Sequence, residues 1–243
     1  MSILTDEVIY QVNGLTYRGF VAFNDLTSPP RPGILLIHEW WGLNDYMRSR
    51  AEKIAELGYV ALAIDMYGEG KVADDADEAA SLMNSVLADM ESGTRVLQAA
   101  HEALVDQPQV NQKWTAAIGY CFGGAMALHM ARTGMPLLAV VSFHGSLGSF
   151  HSAEPGSIKS RVLVCHGESD SMVTMDDLAG FKSEMDAAQA DYQVNVYPGA
   201  KHGFTSEAAD GNSEKYGLDV GYNASADNKS WDAMEVLFDK VFY

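Results

Sequence analysis

Short, wholly apolar segments alternate with amphipathic helical segments along most of this 243-residue chain, and this alternation restricts the folds open to it. The apolar runs at residues 34–37 and 59–64 are typical of strands buried on both faces, which occur where helices cover both sides of a parallel sheet. Gly58 follows the first helical segment, residues 44–57, in the position that commonly ends a helix. The sequence therefore predicts an α/β fold with a mostly parallel sheet and helices on both faces.

The chain opens with two strand-like runs, at residues 7–12 and 15–23. Asn13-Gly14 between them is a strong signal for a two-residue turn, so we expect an N-terminal antiparallel hairpin at one edge of the sheet. Further along we predict a helical region at 74–105 that breaks near Gly93, strands at 115–118, 137–143, 161–165 and 193–197, and helices at 122–132, 175–190 and 227–241. Because no repeat or linker divides the chain, we predict a single domain over residues 1–243.

Composition excludes several functions. With 16 Lys and Arg against 33 Asp and Glu, the net charge of −17 disfavours nucleic acid and anionic membrane surfaces as partners. The start of the chain lacks the features of a secretion signal, and no apolar run approaches the ~20 residues of a membrane span, so we expect a cytoplasmic protein. Neither metal-ligand spacing nor a nucleotide-binding motif is present, and we expect no metal and no cofactor.

The segment GYCFGG at residues 119–124 lies between a predicted strand and a predicted helix. In that context it matches the thiol version of a nucleophile elbow, in which Gly119 and Gly123 leave room for a sharp turn beside Cys121. The turn would place the sulfur at a helix N-terminus, whose partial positive charge favours thiolate. The alternative is a buried structural cysteine at a tight turn.

The order of residues along the chain favours the catalytic alternative. Elbow enzymes present a nucleophile, then an acid, then a histidine, each after a successive strand. His202 follows the strand predicted at 193–197 and is the only histidine after Asp170, which follows the strand at 161–165. Glu168 is the rival for the acid; we prefer Asp170 because the turn needs a few residues to bring a carboxylate round to His202.

The segment HEWWG at residues 38–42 follows the first buried strand. In an elbow enzyme this loop donates one backbone N–H to the oxyanion hole and the residue after the nucleophile donates the other, which assigns the hole to the amides of Trp40 and Phe122. Glu39 is either a solvated loop charge or a functional carboxylate, and its surroundings in the sequence do not decide between them.

Four motifs together resemble the dienelactone hydrolase family, and they occur in order along nearly the whole chain. They are HEWWG at 38–42, GYCFGG at 119–124, HGESD at 166–170 and GAKHGF at 199–204. The resemblance implies an α/β-hydrolase fold, usually a monomer, in which Cys121, Asp170 and His202 form a catalytic triad. It also implies that Glu39 contacts the thiol and helps to generate the thiolate when substrate binds.

The chain departs from the family where substrate binds. Members that open dienelactones (carboxymethylenebutenolidases) hold the substrate carboxylate with two arginines. The position four residues after the histidine is Ser206 here, and the helical region before the elbow carries acidic residues at 74–78. Arg95 is not at a matching position. We therefore expect a cysteine-dependent hydrolase of small carboxylic esters or lactones that is not specific for dienelactones.

Two residues near these motifs are expected to be structural. Cys165 lies inside an apolar strand and is predicted to be a core thiol, and His144, after the strand at 137–143, is predicted to be a structural imidazole that could face the site. Two other functions stay open: a catalytically silent protein of the same fold that binds a ligand, and an acyltransferase or peptidase that uses the same triad.

Overall fold

The computed structural model describes residues 2–26 and 28–243, which contain eight strands and seven helices. The strands are β1 (Ile3–Val12), β2 (Leu15–Asn24), β3 (Arg31–Ile37), β4 (Val60–Ile64), β5 (Val110–Tyr120), β6 (Ala139–Phe143), β7 (Arg161–Gly167) and β8 (Tyr192–Tyr197). The helices are α1 (Asp45–Glu56), α2 (Ala76–Leu87), α3 (Met90–Val105), α4 (Phe122–Arg132), α5 (Met175–Ala187), α6 (Ala209–Tyr216) and α7 (Ala224–Phe242). None of these helices is both long and apolar enough to cross a membrane. The chain forms two compact units, the first ending at Ile118 and the second beginning at Gly119.

The first unit begins with the predicted hairpin. β1 and β2 pair antiparallel up to the Val12–Leu15 pair, and Asn13 and Gly14 both have positive φ, 52° and 82°. Those angles belong to the primed turns that match the twist of paired strands, which explains the choice of Asn-Gly. β2 pairs antiparallel with β4, and β4 pairs parallel with β3, so the antiparallel N-terminal prediction is confirmed.

Strands β3 and β4 form the buried centre of the first unit. Every residue of both strands is buried, because α1 packs against β2 and β4 while α3 packs against β1 and β3. Leu35, Leu36 and Leu62 have no exposed surface, and burying each such side chain contributes about 1.5–3 kcal/mol. Because both faces of these strands are buried, their sequences are continuous apolar runs.

The second unit contains the parallel strands β6, β7 and β8. Ala139 pairs with Arg161 and Val162 pairs with Tyr192, so the three strands lie in that order. Helix α4 packs on β6 and is buried along its whole length, which accounts for its lack of a polar face. Helix α7 packs on β6 and β7. The predicted α/β class with mostly parallel strands is confirmed.

The helical region at 74–105 breaks earlier than predicted. Helix α2 ends at Leu87 and α3 starts at Met90, where the side chain of Asp89 accepts the Ser92 N–H at 3.0 Å and caps the new helix. Gly93, near which the break was predicted, lies inside α3. A Cβ on Gly93 would lie 3.2 Å from Val86 Cγ1, so this glycine serves the close approach of the two helices.

Helix α6 lies between the strand predicted at 193–197 and the helix predicted at 227–241, where the sequence analysis predicts no element. It lacks apolar periodicity, has no side-chain N-cap and ends at Gly217, whose φ is 67°. The next helix, α7, begins three residues before the predicted start, because Asn223 accepts the Ala226 N–H at 3.0 Å and caps it.

Arg132, at the end of α4, connects three parts of the second unit. Its side chain is 1% exposed and forms a two-pronged ion pair with Glu184 of α5, at 2.8 and 2.7 Å. The guanidinium also donates to the carbonyl oxygens of Leu147 and Gly148, at 2.9 and 3.2 Å. One buried cation therefore holds the irregular segment after β6 against two helices.

We expect Arg132→Met to lower the free energy of unfolding by about 3 kcal/mol, because Glu184 and two carbonyl groups lose their donor. Urea denaturation measures this. The control is Arg161→Met, which breaks the exposed ion pair with Asp191 and should cost less than about 1 kcal/mol. Equal losses in the two variants would contradict the role given to Arg132.

Candidate active site

Cys121 occupies a strained turn between β5 and α4. Its φ of 53° and ψ of −116° lie in a region that side chains other than glycine seldom adopt. The neighbouring glycines make the turn possible: a Cβ on Gly119 would lie 2.0 Å from the Gly123 carbonyl oxygen, and one on Gly124 would lie 2.6 Å from Ser142 Oγ. The local geometry is that of a nucleophile elbow.

The backbone N–H and carbonyl of Cys121 both form hydrogen bonds, whereas its side chain is not used to cap the helix. Its N–H donates to the Phe143 carbonyl at 3.0 Å, and its own carbonyl accepts the N–H of Gly124 at 3.0 Å. The side chain makes no capping hydrogen bond to α4, although Cys121 is the N-cap residue. Phe122, the residue after it, is the first of the helix and is buried. The sulfur therefore lies at a positive helix end.

The structure brings Cys121, His202 and Asp170 together within the second unit. His202 Nε2 lies 3.1 Å from Cys121 Sγ, and His202 Nδ1 lies 2.9 Å from Asp170 Oδ2. His202 is 7% exposed and Asp170 is 5% exposed, so bulk water screens these contacts weakly. A thiol, an imidazole and a carboxylate thus form one hydrogen-bonded chain, the arrangement that nucleophilic catalysis requires.

The two candidate acids occupy different places. Asp170 Oδ1 accepts the N–H groups of Met172 and Val173, both at 2.9 Å, which leaves Oδ2 directed at His202. Glu168 Oε2 instead accepts the Gly199 N–H at 3.2 Å in an exposed contact. The structure therefore brings Asp170, and not Glu168, to the imidazole.

The loops that carry Asp170 and His202 lie directly against each other. A Cβ on Gly167 would lie 2.4 Å from the Ala200 carbonyl oxygen, and that oxygen accepts the Ser169 N–H at 2.9 Å. Only glycine permits this approach.

A carboxylate at the surface ties the same two loops a second time. Asp219 accepts the Ser171 hydroxyl at 2.5 Å and pairs with Lys201 at 2.7 Å, so it holds the residue after Asp170 and the residue before His202. These two hydrogen bonds lower the pKa of Asp219.

Electrostatics favours a protonated His202. Burial opposes the charged imidazolium, but the Cys121 thiolate and the hydrogen bond to Asp170 outweigh it and raise the pKa of His202 well above its ordinary value. A histidine with a raised pKa keeps its proton near neutral pH and loses it as the pH rises through the new value. The arrangement can therefore hold a protonated imidazole 3.1 Å from Cys121 Sγ near neutral pH.

The loop at 38–42 is fixed inside the first unit. His38 is fully buried, its Nε2 accepts the Met66 N–H at 3.1 Å, and its Nδ1 therefore donates to the Glu39 carbonyl. Burial lowers the pKa of His38, which keeps the ring neutral. Gly42 N–H donates to the same Glu39 carbonyl at 3.2 Å, and its φ of 94° requires glycine.

These bonds fix the direction of the Trp40 amide. The Glu39 carbonyl and the Trp40 N–H belong to one peptide plane and point in opposite directions, since the bond is trans. With the carbonyl held by His38, the Trp40 N–H points away from that cluster. Tyr67 donates its hydroxyl to the Trp40 carbonyl at 2.8 Å and fixes the next plane.

The turn after β4 supplies Met66 and Tyr67 and depends on Asp65. This carboxylate has no exposed surface, and its two oxygens accept four backbone N–H groups at 2.9–3.2 Å. The donors are Arg18, Tyr67, Gly68 and Gly70. Sequence reasoning missed Asp65, and an acidic residue directly after a wholly apolar strand was the available signal.

The two residues expected to be structural are both buried. Cys165 has no exposed surface, and burial raises the pKa of its thiol to about 12, so it is an inert core thiol as predicted. His144 also has no exposed surface, and its ring lies 5.2 Å from that of His202.

The chain is similar to known proteins in both sequence and structure. The model of the dienelactone hydrolase family matches residues 18–242. Protein usf of Aquifex pyrophilus is 30% identical over 205 residues, which cover 82% of this chain and 87% of that protein. The solved structure of a dienelactone hydrolase-like promiscuous phosphotriesterase from metagenomic libraries is 36% identical, covers 99% of both chains and has a TM-score of 0.90.

A more distant structure shares the fold. MGS-M1, an α/β hydrolase enzyme from a deep-sea metagenome library of the Medee basin, is 19% identical, covers 98% of both chains and has a TM-score of 0.68. The α/β-hydrolase fold expected from the sequence is therefore confirmed. With the family match over most of its length, the chain belongs to the dienelactone hydrolase family.

Proposed function

We propose that this hydrolase is a cysteine-dependent enzyme that cleaves small, neutral carboxylic esters or lactones. The observation that carries the proposal is the buried chain of contacts from Cys121 Sγ through His202 to Asp170, at 3.1 and 2.9 Å. A silent binding protein would have no need for a strained elbow and a raised His202 pKa at one place.

The first half of the reaction forms a thioester. The Cys121 thiolate attacks the carbonyl carbon, and the carbonyl electrons move to oxygen, where the amides of Trp40 and Phe122 stabilise the negative charge. When the intermediate collapses, the bond to the leaving oxygen breaks and His202 gives that oxygen its proton. The fixed plane of the Glu39–Trp40 peptide supports this role for Trp40.

The second half consumes water. His202, now neutral, takes a proton from water as the water oxygen attacks the thioester carbon. Collapse of this second intermediate expels the Cys121 thiolate and releases the carboxylic acid, which restores the thiolate–imidazolium pair. Asp170 fixes the tautomer of His202 and stabilises its charged form throughout.

Glu39 is proposed to help generate the thiolate when substrate binds. It is 7% exposed, and carboxylates are seldom so deeply buried unless they have a partner or a function. The Glu39 carbonyl accepts a hydrogen bond from His38, so the backbone from which the Glu39 side chain extends is held in place.

Three positions support a substrate without a free carboxylate. Ser206 stands where dienelactone-opening relatives carry an arginine, and the helical region in which they carry a second one has acidic residues at 74, 75, 77 and 78. Arg95 forms an ion pair with Glu91, one turn earlier in α3, at 2.7 Å. No bidentate clamp is therefore expected for an anionic group.

A second candidate activity is hydrolysis of phosphotriesters. The 36% identity to a dienelactone hydrolase-like promiscuous phosphotriesterase, over 99% of both chains, favours it. The thiolate would form a sulfur–phosphorus bond while the leaving oxygen departs with the His202 proton, and water would then cleave that bond. Neutral phosphotriesters also fit a site that lacks a carboxylate clamp.

Cys121→Ala should abolish turnover of p-nitrophenyl acetate, because the nucleophile is lost, while circular dichroism remains that of the parent. Cys165→Ala is the matched control: its thiol is inert, so turnover in that folded variant should equal that of the parent. Full activity in Cys121→Ala would refute the mechanism, and an inactive parent enzyme on every ester would favour the silent binding protein.

Asp170→Asn should reduce kcat by about 10²–10⁴-fold and move the alkaline limb of kcat/KM to lower pH. The hydrogen bond to Asp170 helps to raise the pKa of His202, so without it the general acid loses its proton earlier as the pH rises. Glu168→Gln is the control and should leave both quantities unchanged. If Glu168→Gln reproduced the effect instead, the acid would be assigned wrongly.

A substrate panel tests the absence of a carboxylate clamp. Between p-nitrophenyl butyrate and p-nitrophenyl hydrogen succinate, which have acyl chains of equal length, we expect kcat/KM to be higher for the neutral ester by at least about tenfold. A p-nitrophenyl dialkyl phosphate in the same panel tests the second candidate. Faster turnover of the succinate would contradict the substrate class.

A further inference from the structure

The residue directly after β6, His144, has an unusual backbone. Its φ is +41°, it has no exposed surface, and its N–H donates to the Cys165 carbonyl at 2.8 Å. A left-handed conformation is costly for a residue with a side chain, and such residues concentrate at functional sites. The mechanism given above makes no use of this side chain.

The ring of His144 contacts the segment that carries the catalytic histidine. Nε2 lies 2.8 Å from Thr205 Oγ1, and the ring centroid lies 5.2 Å from that of His202 and 5.1 Å from that of Phe204, both edge to face. The ring centroid of Tyr120 lies 6.1 Å from that of His144. Three of the four residues at 202–205 therefore contact this one imidazole.

Residues 143–145, which include His144, also contact the turn that carries Cys121. The Phe143 carbonyl accepts the Cys121 N–H at 3.0 Å. A Cβ on Gly145 would lie 2.7 Å from the carbonyl carbon of Gly124, so the backbone after His144 lies against the elbow. Residues 143–145 are thus in contact with both partners of the Cys121–His202 pair.

We propose that His144 is a positioning residue, which sets the distance between His202 Nε2 and Cys121 Sγ. Its ring packs edge to face against His202 and Phe204, so it limits how far the His202 imidazole can move from the sulfur. The hydrogen bond to Thr205 fixes the orientation of the ring. The proposal builds on the function assigned to Cys121 and His202.

Two variants separate the ring from its hydrogen bond. His144→Asn tolerates the left-handed backbone but removes the ring together with Nε2, and with it the hydrogen bond to Thr205. Thr205→Val keeps the shape of the side chain and removes the hydroxyl. The controls are His101→Asn and Thr115→Val, which disrupt a similar buried histidine–threonine contact (3.2 Å) in the first unit.

We expect His144→Asn to lower kcat on p-nitrophenyl acetate by about 10- to 100-fold with a much smaller change in KM, because a misplacement of ~1 Å in the reacting groups has effects of this size. The titration of His202, followed by NMR, should move to lower pH, because a longer distance to Cys121 weakens one of the interactions that raise the pKa of His202. Thr205→Val should act in the same direction but less, and the double variant should resemble His144→Asn. The two control variants should change neither quantity.

A folded His144→Asn variant with the parent kcat and the parent His202 titration would overturn the proposal. If that variant does not fold, Thr205→Val decides, and unchanged kcat and titration in it would overturn the proposal equally. If the parent turns over no ester, the proposed function fails. The NMR titration of His202 would still test the role of His144 separately.

Discussion

The backbone of Cys121 must turn from strand to helix within a single residue, and the packing around it serves that turn. A left-handed conformation at a cysteine costs of order 1–3 kcal/mol, and contacts with neighbouring residues must offset that cost. Gly119 admits the Gly123 carbonyl, and the Phe143 carbonyl fixes the Cys121 N–H. The sulfur is thereby directed at His202, so the proposed chemistry depends on close backbone contacts more than on any single side chain.

Much of the fold could be predicted because the signals are local. Continuous apolar runs report burial on both faces, and Asn13-Gly14 reports a turn whose two residues need positive φ. Helix α6 could not be predicted, since it has neither a side-chain N-cap nor apolar periodicity. The break between α2 and α3 was misplaced because a glycine that allows two helices to approach resembles, in sequence, a glycine that ends one.

For the candidate site, the order of the motifs pointed to Cys121 and His202, whereas the choice between Asp170 and Glu168 depends on a turn geometry that spacing only suggests. That geometry comes from the contact between Gly167 and Ala200, across two loops far apart in sequence. Asp65 and His144 could not be assigned roles for the same reason. Their partners lie up to 61 residues away along the chain, and pairing over such distances leaves no periodic pattern.

The segment that carries His202 is held on two sides by contacts of different character, and this bears on how the candidate site opens. His144 holds the His202 segment from the buried side, while Asp219 holds Ser171 and Lys201 at the surface, where water and salt compete for its hydrogen bonds. Segments held by exposed contacts open with smaller free energies than a packed core does. Heating or added salt should therefore release the outer side of the two loops as a local fluctuation, so that inactivation begins while strands β6, β7 and β8 remain folded.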